Sequence, residues 1–263
     1  MSSTPLSVVI LTKNEETRIE DCLKAVVAWA DEVIVVDDQS SDNTRRLAQE
    51  LGAKVLVRKM DIEGKHRNWA YAQAKNKWVF SVDADERSTD GLKDEIKRII
   101  LSDTEYVCFD MPFRTYIGSR WIRWGGWYPG PKVKLFRKDK FLYEEVEVHP
   151  RIFIQGECGH LKNDVIHYSY RNWEDFVSKT NKQTGLEALK WYKLSLKDSK
   201  KGRYKMNLGH ALWRTVDRFI RIFFLKQGFR DGFTGFMVAY LSSFYQIISY
   251  AKYRELKIKD KNG

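Results

Sequence analysis

Asp83-Ala84-Asp85-Glu86 closes an apolar run, Trp78-Val79-Phe80-Ser81-Val82, that reads as a buried strand. In an open α/β sheet, ligands bind outside the carboxyl ends of the strands. Two carboxylates one residue apart at such an end can hold a hard divalent cation that keeps several waters and bridges to a substrate's phosphates. A lone Asp-x-Asp is more often a solvated acidic turn, but this one has company. The β-rich run Ser7 to Leu11 leads into Thr12-Lys13-Asn14-Glu15, and Val33 to Val36 ends on Asp37-Asp38. Polar and acidic side chains therefore gather at three strand ends, which packing alone does not require.

The elements that must position them follow from periodicity. Ile19, Cys22, Leu23, Val26 and Val27 fall at i, i+3, i+4, i+7 and i+8, one face of a helix. The loop Gln39 to Thr44 precedes a second helix closed by Gly52 as a C-terminal cap. Ala53 to Val57 reads as the third strand, Lys65 to Lys75 as a helix, and the Asp83 strand as the fourth. Strands alternating with helices predict right-handed βαβ units and a mostly parallel sheet, an α/β fold.

With 263 residues, 43% of them hydrophobic, the chain has room for one large domain or a domain with an appendage. Cys22, Cys108 and Cys158 are odd in number and lack paired spacing, which points to neither a disulfide framework nor a zinc site. Cys22 lies on the apolar helix face and reads as core. The first residues have no basic segment, and Leu6 to Leu11 is too short for the apolar part of a signal peptide, so a reducing, cytosolic setting is expected.

The net charge of +11 is unevenly spread. Residues 1–170 carry 26 Lys/Arg against 27 Asp/Glu, and residues 171–263 carry 20 against 8. The whole excess lies in the last third, which implies an anionic partner for that part. The division expected is a catalytic domain over 1–170 and a basic amphipathic helical extension over 171–263. Within Tyr204–Leu225, Leu212, Trp213, Val216, Phe219, Ile220, Phe223 and Phe224 make an apolar face, opposite Arg214, Arg218 and Arg221. Phe233 to Ala251 is free of charge over 19 residues, about 28 Å as one helix. Thr234, Ser242, Ser243, Gln246 and Ser249 dilute it, and three tyrosines suit an interface better than a hydrocarbon core. Two readings stand side by side: helices lying on a membrane, or an ordinary helical subdomain with aromatic core and solvated arginines.

The order of Ser7–Glu15, Val35–Thr44 and Val82–Glu86, with Gly64-Lys65-His66-Arg67-Asn68-Trp69-Ala70 between the last two, resembles family 2 glycosyltransferases of the GT-A fold. The resemblance covers about residues 5–170. More loosely, the C-terminal helices resemble the branch that adds glucose to the inner core of lipopolysaccharide. The Gln-x-x-Arg-Trp motif and multiple spans of processive polysaccharide synthases are missing, which argues against polymerisation. The resemblance implies a UDP-sugar donor. It places Asn14, Glu15 and Asp38 at the uracil and ribose end, with Lys65 assisting the charge. Asp83 would meet the ribose, and Asp83 and Asp85 a Mg²⁺ or Mn²⁺ that neutralises the leaving diphosphate. His167, in Val165-Ile166-His167-Tyr168, matches a histidine of relatives and reads as a further metal or diphosphate ligand; a satisfied core histidine is the alternative. The first strand carries no Gly-x-Gly-x-x-Gly loop, which disfavours a dinucleotide oxidoreductase.

On the acceptor side, an inverting transfer needs a carboxylate that takes the proton of the attacking hydroxyl. Glu147, in Tyr143-Glu144-Glu145-Val146-Glu147-Val148-His149-Pro150, is the first choice by resemblance and Glu145 the second. Relatives often carry an acidic residue where Pro150 stands. The alternative is an edge strand with glutamates facing water. Trp121, Trp124, Trp127 and Tyr128, between Gly118, Gly125, Gly126 and Gly130, could stack on sugar faces and close over a substrate, or only pack their loop to the domain.

The expected function is metal-dependent, inverting transfer of a single hexose from a UDP-sugar, UDP-glucose among them, to a glycan or lipid-linked acceptor such as lipopolysaccharide core. The expected location is cytoplasmic, peripheral on the inner face of the cell membrane. Transfer to polyprenyl phosphate is the alternative among enzymes, and a non-catalytic nucleotide-sugar or nucleic-acid binding protein the alternative outside them. Three acidic strand ends would repel a phosphate backbone, so no nucleic-acid partner is expected.

Overall fold

Alternation along the first strands decides where the core lies. In β1 (Thr4–Thr12) Val8 and Ile10 face one side of the sheet and Val9 the other; in β2 (Ala30–Asp37) Val35 faces the first side, and Ile34 and Val36 the second. Both faces are therefore apolar and both are covered, as a parallel sheet requires. This is a computed structural model, and it describes residues 4–146, 150–196 and 206–262. The chain folds into two compact units, Met1–Arg114 with Gly130–His167, and Thr115–Pro129 with Tyr168–Gly263.

The first unit is an α/β sandwich. α1 (Ile19–Lys24), α2 (Thr44–Glu50), α3 (Glu63–Ala72) and α4 (Asp90–Leu101) flank a seven-stranded mixed sheet. Its other members are β3 (Lys54–Val57), β4 (Trp78–Asp83), β6 (Cys108–Met111), β9 (Lys132–Arg137) and β12 (Cys158–His160), in the order β12-β6-β9-β4-β1-β2-β3. β9 runs antiparallel to both β4 and β6, and the remaining pairings are parallel. Register sets the acidic ends side by side: Leu11 stands opposite Asp83 and Thr12 opposite Asp37. β5 (Glu86–Ser88) follows β4 at once and pairs antiparallel with Val165 to His167 of β13 (Val165–Tyr170). A small hairpin, β10 (Phe141–Tyr143) with β11 (Ile152–Ile154), completes the unit. Cys22 is fully buried, and Cys108 and Cys158 are register partners on adjacent strands with free thiols.

In the second unit β8 (Arg120–Trp121) pairs with Tyr116 and Ile117 of β7 (Phe113–Ile117), and the rest is helical. The helices are α5 (Trp173–Leu196), α6 (Leu208–Ile220), α7 (Gly232–Ser243) and α8 (Tyr245–Asn262), with a π-helical turn, Arg221–Leu225, and a 3₁₀ turn, Gly228–Asp231, between α6 and α7. The chargeless stretch 233–251 is not one helix. It breaks at Phe244, just after Ser242 and Ser243, and Ser243 Oγ donates to the Tyr240 carbonyl (2.6 Å). Such back-bonding loosens and bends a helix. No helix among the described residues is long and apolar enough to cross a membrane. The aromatic loop belongs to this unit: Trp127 packs with Tyr170 and Phe176, Trp124 lies under Arg230 (3.8 Å), and Gly125 N–H donates to the Lys226 carbonyl (2.8 Å).

Candidate active site

At the end of β4 the chain turns within two residues, and each acidic side chain there has a distinct environment. Asp83 N–H donates to Glu86 Oε2 (2.9 Å), which closes the turn. Arg87 pins it from behind, Nη1 donating to the carbonyls of Ala84 and Glu86 (both 2.8 Å) and Nη2 to that of Arg18 (2.7 Å).

Lys134, on the inserted strand β9, is buried between two carboxylates, with Nζ 2.9 Å from Asp83 Oδ2 and 2.8 Å from Glu86 Oε2. Arg67 of α3 reaches the other oxygen of Asp83 (Nη1 to Oδ1, 3.4 Å). Burial opposes ionisation of Asp83, yet Lys134 and Arg67 outweigh it and hold the carboxyl well below its ordinary range. Burial likewise opposes the charge on Lys134, and Asp83 and Glu86 overcome it, raising its pKa. Glu86 has the opposite outcome: burial dominates and pushes its carboxyl up despite Lys134.

Asp85 faces the other way. Its Oδ2 lies 3.6 Å from His167 Nε2 and 3.8 Å from Arg18 Nη1. Burial pushes its carboxyl up, but the His167 hydrogen bond and the Arg18 charge bring it below the usual value. Asp85, Glu86 and His167 each present a ligand atom within 4.8 Å of the others. Glu86 Oε1 is buried and has no hydrogen-bond partner among the described residues. A buried, unpartnered carboxylate oxygen costs free energy unless something positive meets it. The two carboxylates suit Mg²⁺ or Mn²⁺, and the imidazole beside them favours the softer Mn²⁺ of the two. The residues therefore fit a divalent cation, with Glu86 in the set and Asp83 turned to Lys134 and Arg67.

The other residues singled out in the sequence are placed as follows. Asp38 is buried, accepting from Lys13 Nζ and Met60 N–H (both 2.8 Å), and these outweigh burial to lower its pKa. Asn14 sits at φ 53° and is tied to the next loop: its N–H donates to Ser40 Oγ and its Oδ1 accepts from Ser41 N–H (both 2.8 Å). Glu15 N–H donates to Thr44 Oγ1 (2.8 Å). Lys65 is exposed and pairs with Asp61 (3.4 Å); Arg67, two residues on, is the α3 cation that meets Asp83. Glu145 is exposed beyond β10, and Glu147 lies outside the described residues. A pocket of about 740 Å³ beside Asp83 is lined by Arg67, Lys132, Lys134, Tyr143 and Arg151, among others.

Sequence reasoning assigns no role to Lys134, Arg67, Glu86 or Arg87. The one local signal for Lys134 is its place in a run with Leu135 and Phe136, where an inward lysine needs an acidic partner. Lys134→Met should lower stability by about 3–5 kcal/mol, since it leaves two carboxylates facing each other without their cation. Urea unfolding should show a lower midpoint at unchanged slope. Adding Glu86→Gln should recover part of the loss; an unchanged midpoint in Lys134→Met would refute this ion cluster. By linkage, the depressed Asp83 contributes fully above its ordinary value of 3.8 and loses that contribution as pH falls. The raised Lys134 contributes below its ordinary 10.5 and loses it as pH rises through the folded value. The deficit of the variant should therefore be largest at neutral pH.

The acidic strand ends of this mixed sheet lie where open α/β sheets bind their ligands. The family model for glycosyl transferase family 2 matches residues 7–155, more than half of the chain. The chain belongs to glycosyl transferase family 2, with a GT-A-like fold. An uncharacterized glycosyltransferase of Rickettsia typhi is 30% identical over 270 residues, covering 98% of this chain and 89% of that one. The lipopolysaccharide core biosynthesis glycosyltransferase LpsC of Rhizobium meliloti is 25% identical over 256 residues, covering 94% and 91%. A solved structure of glucosyl-3-phosphoglycerate synthase from Mycobacterium tuberculosis, in complex with Mn²⁺ and UDP-glucose, is 22% identical, with a TM-score of 0.37 over 41% of this chain and 43% of that one.

Proposed function

We propose that this protein transfers a single hexose, with inversion, from a UDP-sugar to a glycan or lipid-linked acceptor, lipopolysaccharide core being the acceptor favoured by the likeness to LpsC. The observation that carries the reading is the group formed by Asp85 and Glu86, just past the carboxyl end of β4, with His167 of β13; buried Asp38 follows the carboxyl end of β2. Asp38 and the Asn14–Glu15 turn would take the uracil and ribose, whose N–H and hydroxyl groups need carboxylate and amide partners. Asp85, Glu86 and His167 would hold Mg²⁺ or Mn²⁺. When bound, the cation supplies positive charge to the leaving diphosphate. Arg67 and Lys134 fix Asp83 as a rigid anion beside it. Glu147, or Glu145 two residues earlier, takes the proton from the acceptor hydroxyl as it attacks the anomeric carbon. Carried with this reading are a cytoplasmic setting and a peripheral position on the inner face of the membrane, where a lipid-linked acceptor is met. Release of UDP by the purified protein, with a panel of UDP-sugars, Mn²⁺ and a lipopolysaccharide-core acceptor, tests it. Acceptor-dependent release from one sugar is the expected result; no release from any of them would refute it.

A further inference from the structure

Leu212, Val216 and Ile220 of α6, Phe224 of the π turn, Phe229 of the 3₁₀ turn and Phe233 of α7 are each 43–73% exposed. They are not scattered. Leu212, Val216, Ile220 and Phe224 recur every four residues along one ridge. Phe219 and Phe223, stacked at 5.4 Å, are half-buried beneath them, and Phe224, Phe229 and Phe236 meet this pair edge-on at 5.0 to 6.3 Å. The rings thus join four elements of the second unit, α6, the π turn, the 3₁₀ turn and α7, in one apolar cluster. Soluble monomers rarely expose patches of that kind without a partner.

The charges around it indicate which partner. From Met206 to Arg254 the chain has seven Lys/Arg and two acidic residues. Neither acid is free: Asp217 is buried between Arg214 Nη1 (3.1 Å) and Arg221 Nε (2.7 Å), and half-buried Asp231 accepts from Trp124 N–H (2.8 Å). Arg221, Lys226 and Arg230 are exposed among the exposed rings. Apolar side chains interleaved with unbalanced cations match an anionic lipid surface, whose headgroups meet the cations while its acyl region takes the rings. A second copy docked on the same face would set like charges against like charges. A nucleic acid would leave the leucines and phenylalanines without partners.

We propose that this α6–α7 face is the surface by which the protein sits in the headgroup layer of an anionic membrane. The inference rests on the peripheral position proposed above and narrows it to named side chains. α7 has 12 residues, about 18 Å, well short of the roughly 30 Å of a hydrocarbon core, so the face lies in the interface and does not cross it.

The test uses the full chain and vesicles of phosphatidylcholine, with and without phosphatidylglycerol. Wild-type protein should co-sediment with the anionic vesicles at low salt and be released by high salt or carbonate. The double variant Phe224→Ser/Phe233→Ser should lower partitioning at least about tenfold, because two rings no longer leave water. Leu101→Ser, which alters an equally exposed apolar residue of the first unit, should bind as wild type does. If the double variant binds like wild type, this face is not the surface although the peripheral position stands. If wild type fails to bind anionic vesicles at low salt, both fall. Binding that survives carbonate would overturn the interfacial placement.

Discussion

Glu147→Gln should cut sugar transfer by orders of magnitude while leaving UDP affinity close to that of the wild type. The amide keeps the shape of the side chain but cannot accept the proton of the attacking hydroxyl. General-base catalysis contributes about 10²–10⁴-fold, so the loss should be of that size and should appear in kcat. On the proposed reading UDP leaves from the face of the anomeric carbon opposite the attacking hydroxyl and would make no demand on this carboxylate. Steady-state kinetics with a fixed acceptor and calorimetry with UDP separate the two effects. The segment leading to Glu147 is held by close backbone contact: a Cβ at Gly64 of α3 would collide with the Glu144 carbonyl, and Asn68 Nδ2 donates to the Tyr143 carbonyl (2.9 Å). A dead Glu145→Gln beside an active Glu147→Gln would move the base two residues upstream.

Much of the frame is legible because each early strand states its own face. Val8, Val9 and Ile10 alternate between two cores, and the run that includes Asp83 ends at the residue where β4 ends. The turn residues Pro129-Gly130-Pro131 and Lys138-Asp139-Lys140 bracket the strand Lys132–Arg137 in the sequence. What the sequence does not display is which strand enters the sheet antiparallel. β9 lies between β4 and β6, and only that insertion brings Lys134 to Asp83 across 51 positions. Lys65 and Arg67 are equally plausible cations on paper. The helix phase decides between them, turning Lys65 to Asp61 and solvent and Arg67 towards Asp83. Glu86 is visible in the motif, but its burial depends on β5 pairing with β13, a contact between segments some eighty residues apart. In the second unit, the length of the chargeless stretch suggests a single helix, whereas local serine hydrogen bonding and the Phe244 break divide it.

Asp85→Ala should lower turnover by more than about 100-fold and remove the metal dependence of UDP binding. Changes one shell further out at metal sites already cost 10–100-fold in metal affinity or activity, so loss of a direct ligand should exceed that range. The geometry makes a sharper comparison. Asp85 and Glu86 share a ligand group with His167, whereas Asp83 is committed to Lys134 and Arg67. Glu86→Gln should therefore weaken Mn²⁺ binding nearly as much as Asp85→Ala. Asp83→Asn should act mainly through the ion cluster, with a lower urea midpoint and a smaller change in Mn²⁺ affinity. Titration of Mn²⁺ by electron paramagnetic resonance reads metal binding independently of turnover, and calorimetry with UDP, with Mn²⁺ or with EDTA, reads the linkage. Equal UDP affinity in Mn²⁺ and EDTA would remove the cation from the donor site. Loss of Mn²⁺ binding in Asp83→Asn but not in Glu86→Gln would return Asp83 to the ligand set, because the amide could no longer serve as an anionic ligand there while Glu86 would be shown to be dispensable.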